Sequence, residues 1–178
     1  MTWTIPAAAL SAALLAGVAF APSAFAQAGA PTDPQIAHIA YTAGQIDVEA
    51  GEQALAKTRN SEVKSFAQEM VRDHQAVNDK ALALVKKLGV TPEDNPTSQS
   101  LSTAAKAKRA ELAKLDGAAF DKAYVANEVA YHKTVNGALS GTLIPDARNG
   151  ELKALLQTGL KLFTEHQMHA EHLAGELK

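Results

Sequence analysis

Residues 61–88, SEVKSFAQEMVRDHQAVNDKALALVKKL, decide the fold class. Val63, Ala67, Met70, His74, Val77, Ala81, Leu84 and Leu88 follow one another at alternating steps of four and three. That spacing is one face of an α-helix, and Gly89 with Pro92 beyond it supplies the stop. Seven of the eight seam positions are aliphatic, thioether or alanine; the eighth is a histidine, in a place the pattern reserves for an apolar side chain.

Working outward, three more long segments carry the same period, and no stretch of comparable length alternates with period two. The chain is therefore expected to be all-α. A first helix is expected from Asp33-Pro34, read as an N-cap followed by proline, to about Thr58, with Ile36, Ile39, Ala43, Ile46 and Ala50 inward. After the loop at 89–100, a shorter helix is expected to carry Leu101, Ala105, Lys108, Leu112 and Leu115 on one stripe. A third long helix from about Ala118 to Ser140 places Val125, Glu128, His132, Val135 and Leu139 in a seam. A last one, capped at Asp146, turns Leu152, Leu155, Leu162, His166, His169 and Leu173 inward. Two helical hairpins joined by so long a connection favour a ferritin-like four-helix bundle, because a crossover must cover the bundle length and the 101–115 helix supplies roughly 22 Å of it.

The composition fits such a domain and narrows its chemistry. The 178 residues include 17 Lys+Arg and 19 Asp+Glu, a net charge of −2, and 47% hydrophobic but only 5% aromatic residues. Nothing in that balance draws in a polyanion, which argues against nucleic-acid binding. There is no cysteine. Disulfides, thiol nucleophiles, Cys-ligated zinc and iron–sulfur clusters are excluded, and any metal has to sit on imidazole and carboxylate. The first charged residue is Asp33 and the first basic one Lys57. Ahead of them, Ile5–Ala26 reads as the apolar core of a secretory signal peptide ending in the small-x-small site Ala24-Phe25-Ala26, although Met1–Thr4 carry no positive charge. Cleavage after Ala26 leaves a domain at 27–178 with no membrane-spanning segment, exported to the periplasm or cell envelope of a bacterium.

Six histidines follow: His38, His74, His132, His166, His169 and His172. His74, His132 and His166 each interrupt an apolar seam, and a buried imidazole needs a donor, an acceptor or a metal. At about 1.5 Å per residue the three straddle mid-bundle to within about two turns, close to the level of Glu49 on the first helix. Glu128 with His132, and Glu165 with His169, are four residues apart and so share a helix face. The expected metal set is Glu49, His74, Glu128, His132, His166 and His169, for a transition metal such as iron, copper or zinc. The plainer reading makes these pairs internal hydrogen bonds, with Asp73 capping or orienting His74. His166, His169 and His172 together also offer a surface metal site, or a solvated helix end. His38 is expected to be exposed.

Phe66-Ala67-Gln68-Glu69-Met70-Val71-Arg72-Asp73-His74, then Asn78, with Glu49-Ala50-Gly51 upstream, resembles the bacterial exported domain-of-unknown-function family 4142. Gly117, Phe120-Asp121, Tyr124, His132 and His166 extend the resemblance, which covers about residues 33–175. It implies a ferritin-like bundle behind a signal peptide, with no assigned activity. Di-iron members of the ferritin-like superfamily use Glu-x-x-His on two helices. Here Glu69 and His74 are five apart, and Glu128–His132 and Glu165–His169 four apart, so oxidase or ferroxidase activity is carried only by analogy. No nucleophile elbow, P-loop, dinucleotide fingerprint or His-Glu-x-x-His is present. Two functions stay in view: a transition-metal protein of the envelope, and a non-enzymatic stress or interaction module whose His–carboxylate pairs serve packing.

Overall fold

A computed structural model describes residues 29–177, so the expected signal peptide at 1–26 lies outside the described residues. Among the described residues there are five long helices and no strand. They are α1 (Asp33–Lys57), α2 (Ser61–Leu88), α3 (Pro96–Leu112), α4 (Gly117–Ala138) and α6 (Gly150–Glu176). A π-helical turn, Leu139–Leu143, and the short α5 (Ile144–Asp146) join α4 to α6. None of these helices is long and apolar enough to cross a membrane.

The helix starts follow from local chemistry, with two corrections to the sequence reading. Thr32, not Asp33, caps α1, forming a reciprocal capping box with Gln35. Asp33 instead makes a contact distant in sequence. Its carboxylate accepts the backbone N–H groups of Arg148 and Asn149, both at 2.8 Å, and ties the start of α1 to the start of α6. Asn149, not Asp146, caps α6. Asn60 caps α2 through the N–H groups of Glu62 and Val63, and Gly89 ends it with φ +63°, in the left-handed region open to glycine.

α1 packs chiefly on α2 and α4 on α6; α2 touches α6 and α1 touches α4 across the two hairpins. The connection between hairpins runs the length of α1. At one end the Glu93 N–H reaches the Pro34 carbonyl; at the other Gln53 and Lys57 donate to the carbonyls of Arg109 and Ala113. The crossover helix therefore lies along α1, four or five residues earlier than expected, because Asn95 caps it in a box with Ser98 and Pro96 occupies its first turn.

The interior is divided in two. One apolar cluster gathers Ile36, Ile39, Val85, Leu101, Val135, Leu139, Leu156 and Phe163, among others; the second gathers Ala54, Val63, Phe66, Met70, Phe120, Tyr124, Val125 and Leu173. Between them, each of the four bundle helices contributes buried polar side chains: Asp47, His74, Glu128 with His132, and His166. On α6 the seam is Leu152, Leu156, Gly159, Phe163, His166, Ala170 and Leu173. Leu155 and Leu162 are only half-buried and His169 is exposed. The small residues Gly159 and Ala170, rather than the leucines, mark the face that approaches its neighbours. In α2 the seam drifts after His74 to Asn78 and Val85, leaving Val77, Ala81, Leu84 and Leu88 half-buried, as expected when a 3.5-residue repeat is laid on a 3.6-residue helix.

α1 and α2 approach closely at Gly51, where an added Cβ would stand 2.8 Å from Val71 Cγ2 and 3.1 Å from the Ala67 carbonyl oxygen. A β-branched side chain and a backbone carbonyl yield little. Gly51→Ala is expected to lower stability by about 1 kcal/mol, the overpacking cost exceeding the gain in helix propensity, as read from urea-denaturation midpoints; equal or higher stability would mean that the hairpin separates freely.

Candidate metal centre

His74 on α2, His132 on α4 and His166 on α6 converge at the polar level, with ring centroids 5.6 Å (74–132), 5.3 Å (74–166) and 5.6 Å (132–166) apart. All three are at most 1% exposed. One ring nitrogen of each lies within 4.8 Å of the others. Phe163 closes one side, stacked on His74 at 4.4 Å and 13°.

Each imidazole has one nitrogen facing an oxygen, and in His132 and His166 that contact is a hydrogen bond. His132 Nδ1 donates to the Glu128 carbonyl at 3.0 Å, one turn back on α4. His166 Nε2 donates to Asp73 Oδ2 at 3.1 Å. His74 Nε2 lies 3.4 Å from Asp47 Oδ2. Both His74 nitrogens, His132 Nε2 and His166 Nδ1 are buried without a hydrogen-bond partner. A metal-binding histidine shows this arrangement: the outer N–H is held by a carboxylate or carbonyl, which fixes the tautomer and turns the other lone pair inward. Asp47, Glu128 and His132 form a second group with ligand atoms within 4.8 Å, so carboxylates adjoin the imidazoles. Three imidazoles that can hold a metal, with two carboxyl groups beside them, suit copper, zinc or iron.

Burial sets the protonation. Asp47 is pushed well above the ordinary carboxyl range by burial and then by Glu128; Glu128 is raised to about 7 by burial, with the hydrogen bond from Asp47 working the other way. His74 is held well below its usual value by burial and by the other two imidazoles, and His132 is lowered to about 4 by burial. His166 is lowered less, since Asp73 offsets part of the burial. Near neutral pH the layer thus holds neutral imidazoles beside protonated carboxyl.

The sequence-derived set divides. His74, Glu128, His132 and His166 are brought together. Glu49 is not: it points outward to the crossover helix, ion-paired with Arg109 and 3.5 Å from the Gln45 amide. The α1 residue at the centre is Asp47, two positions earlier and only 2% exposed. It could have been found, since it lies four residues after Ala43 and three before Ala50, a charged residue in a seam position. His169 is also outside the core; its Nδ1 meets Glu69 Oε2 at 2.7 Å, so the expected Glu165–His169 pair does not form. His172 turns away to Glu176, and the three late histidines make no common site. Asp73 orients His166 rather than His74. His38 is partly buried, 3.9 Å from Asp94.

Residues 19–173 match the model of the family described as Domain of unknown function (DUF4142). No curated protein matches the chain. Among solved structures, the fold is similar to that of a DUF305 protein from Streptomyces coelicolor, described as a candidate secreted protein, with TM-score 0.69 and 14% identity over 80% of this chain and 91% of that one.

The two kinds of buried group pull stability in opposite directions with pH. The depressed imidazoles contribute stability that is complete above their unfolded pKa of 6.5 and lost as pH falls toward about 4. The raised carboxyls contribute stability that is complete below the ordinary carboxyl range and lost as pH rises toward about 7. Asp47→Asn removes part of the second contribution. With chelator present, its denaturation midpoint should fall more steeply than that of the natural protein between pH 6.5 and 4; parallel curves would show that Asp47 is ionised in the fold.

Proposed function

The chain belongs to the DUF4142 family, and from the geometry of its core we propose that it is an exported bundle of ferritin-like topology that binds a first-row transition-metal ion on His74, His132 and His166. The observation that carries this reading is the cluster of three buried imidazoles from three helices, each with a ring nitrogen that has no hydrogen-bond partner, the other nitrogen of His132 and of His166 being held by an oxygen. Leaving one such nitrogen buried and unpaired is unfavourable; leaving three facing one another is a cost that a single cation removes. Asp47 and Glu128 are placed to complete the coordination or to orient the ligands, and as carboxylates they would balance the charge of the ion. The two-hairpin arrangement with its crossover along α1 supports the topology, and the apolar stretch Ile5–Ala26 supports export.

The mature protein is expected to take up close to one copper or zinc ion per chain, measured by elemental analysis after gel filtration. His74→Ala combined with His166→Ala should abolish uptake. Saturating metal at about 100 times Kd should raise the unfolding free energy by about 2.7 kcal/mol. Protein that remains metal-free and thermally unchanged with iron, copper and zinc would sink the reading. If His74→Leu were then found stabilising, the polar layer would instead be a packing device, as in the interaction-module alternative.

Binding should also expel protons, because burial favours the protonated form of Asp47 and, in part, of Glu128, and these carboxyls have to ionise beside the ion. Calorimetric titration at pH 7 in buffers of different ionisation enthalpy is expected to show proton release on metal binding, and Asp47→Asn should reduce it. Release unaffected by that substitution would remove Asp47 from the centre.

A further inference from the structure

A second group of metal-type side chains stands one imidazole outward from the triad. Glu69 and Asp73 are one turn apart on α2, His166 and His169 one turn apart on α6, and the four meet on the seam between these helices. Glu69, Asp73 and His166 each bring one ligand atom within 4.8 Å of the others, and His169 reaches Glu69 at 2.7 Å. Side-chain exposure rises along the set, from 1% at His166 through 17% at Asp73 and 31% at Glu69 to 42% at His169. This is a graded path from solvent to the core.

His166 belongs to both groups. Its Nε2 faces Asp73, while Nδ1 is buried, unpartnered and left for the triad. A single imidazole is thus the partition between an outer cluster of two carboxylates and a histidine and an inner set of histidines. We propose that Glu69, Asp73, His166 and His169 form an outer site that captures a transition-metal ion from solvent and delivers it to the core past His166; the delivery step rests on reading the triad as a metal centre. Capture is an exchange of cations. Arg72 holds Asp73 through two hydrogen bonds of 2.7 and 2.9 Å and is itself largely exposed, so it swings into water when the metal takes its place. Carboxylate oxygens and imidazole nitrogens at a half-exposed position bind an ion fast and loosely, and turning the His166 ring moves a lone pair from one site to the other.

The test uses the mature protein with Co(II) and Zn(II) as probes. Five proteins are compared: natural, Glu69→Gln with His169→Ala, the control Glu165→Gln on the exposed face of α6, His74→Ala with His132→Ala, and the two double variants combined. With the core intact, loss of Glu69 and His169 should slow loading and chelator-driven release together by about ten-fold, while Kd stays within about two-fold, because a route alters both rates and not the end states. Glu165→Gln should change neither. With the triad disabled, one weakly held Co(II) should remain and should disappear when Glu69→Gln and His169→Ala are added. Metal lost with the triad but loaded at the natural rate without Glu69 and His169 overturns the outer site and leaves the core centre standing. Metal held at the natural affinity after loss of the triad, but absent from the Glu69→Gln, His169→Ala protein with its core intact, does the reverse. No uptake by the natural protein overturns both. If removing two core imidazoles unfolds the domain, the loading rates of the surface variants still decide.

Discussion

Every part of this bundle is arranged around the burial of five ionisable side chains at one level of a four-helix core. Asp47, His74, Glu128, His132 and His166 come from all four bundle helices and are at most 2% exposed. Moving such groups out of water costs several kcal/mol each if they remain charged and unpaired. The structure meets that demand in two ways. Burial shifts the groups toward their neutral forms, and oxygens face the imidazoles: the Glu128 backbone and the Asp73 carboxylate accept from His132 and His166, and the Asp47 carboxyl stands 3.4 Å from His74. The Asp47–His74 and Asp73–His166 contacts cross from α1 to α2 and from α2 to α6, so they tie the register of those helices as they orient the rings. Apolar clusters above and below pack whatever register the layer imposes.

What the sequence disclosed follows from this arrangement. Histidine in an aliphatic seam is a strong departure from the pattern, so His74, His132 and His166 were legible, and Glu128 followed from its distance to His132. The rotation of α6 was not. Leu155 and Leu162 look like core residues by composition, but the face that enters the bundle carries the small buried residues Gly159 and Ala170 and Phe163, which covers His74. That choice is made in three dimensions. It also sends His169 outward to Glu69. On α1, Ile46 and Asp47 both satisfy a helical step from Ala43, and a reading that prefers aliphatic residues takes Ile46 and passes over the charged residue beside it. Glu49 is the carboxylate nearest the right height, but height says nothing about azimuth, and positions two residues apart on a helix differ by about 200°.

On the proposed metal reading, the neutral layer lets one core serve with and without a cation. Neutral imidazole is the form that ligates, so the burial that depresses His74 and His132 also prepares them as donors. Raised carboxyls beside them hold protons that a cation can displace, which keeps the net charge of the buried layer nearly constant on exchange. A layer of permanently ionised pairs would lack this tolerance, because adding a divalent ion to fixed charges leaves an uncompensated charge in the interior.

The crossover helix decides from which side such a layer can be approached. α3 lies along α1, held by the Glu49–Arg109 ion pair and by Gln53 and Lys57 reaching its last carbonyls. That flank of Asp47 is covered. On the opposite flank α2 and α6 have no such covering, and there Asp73, Glu69 and His169 extend the polar layer into water. The long connection that distinguishes this topology from a bundle with short loops therefore does more than return the chain to the other end. It closes one wall of the polar layer and leaves the α2–α6 seam as the side on which buried donors are continuous with solvent-facing ones, so the placement of Glu49 outside the core and the exposure of His169 are two consequences of the same packing.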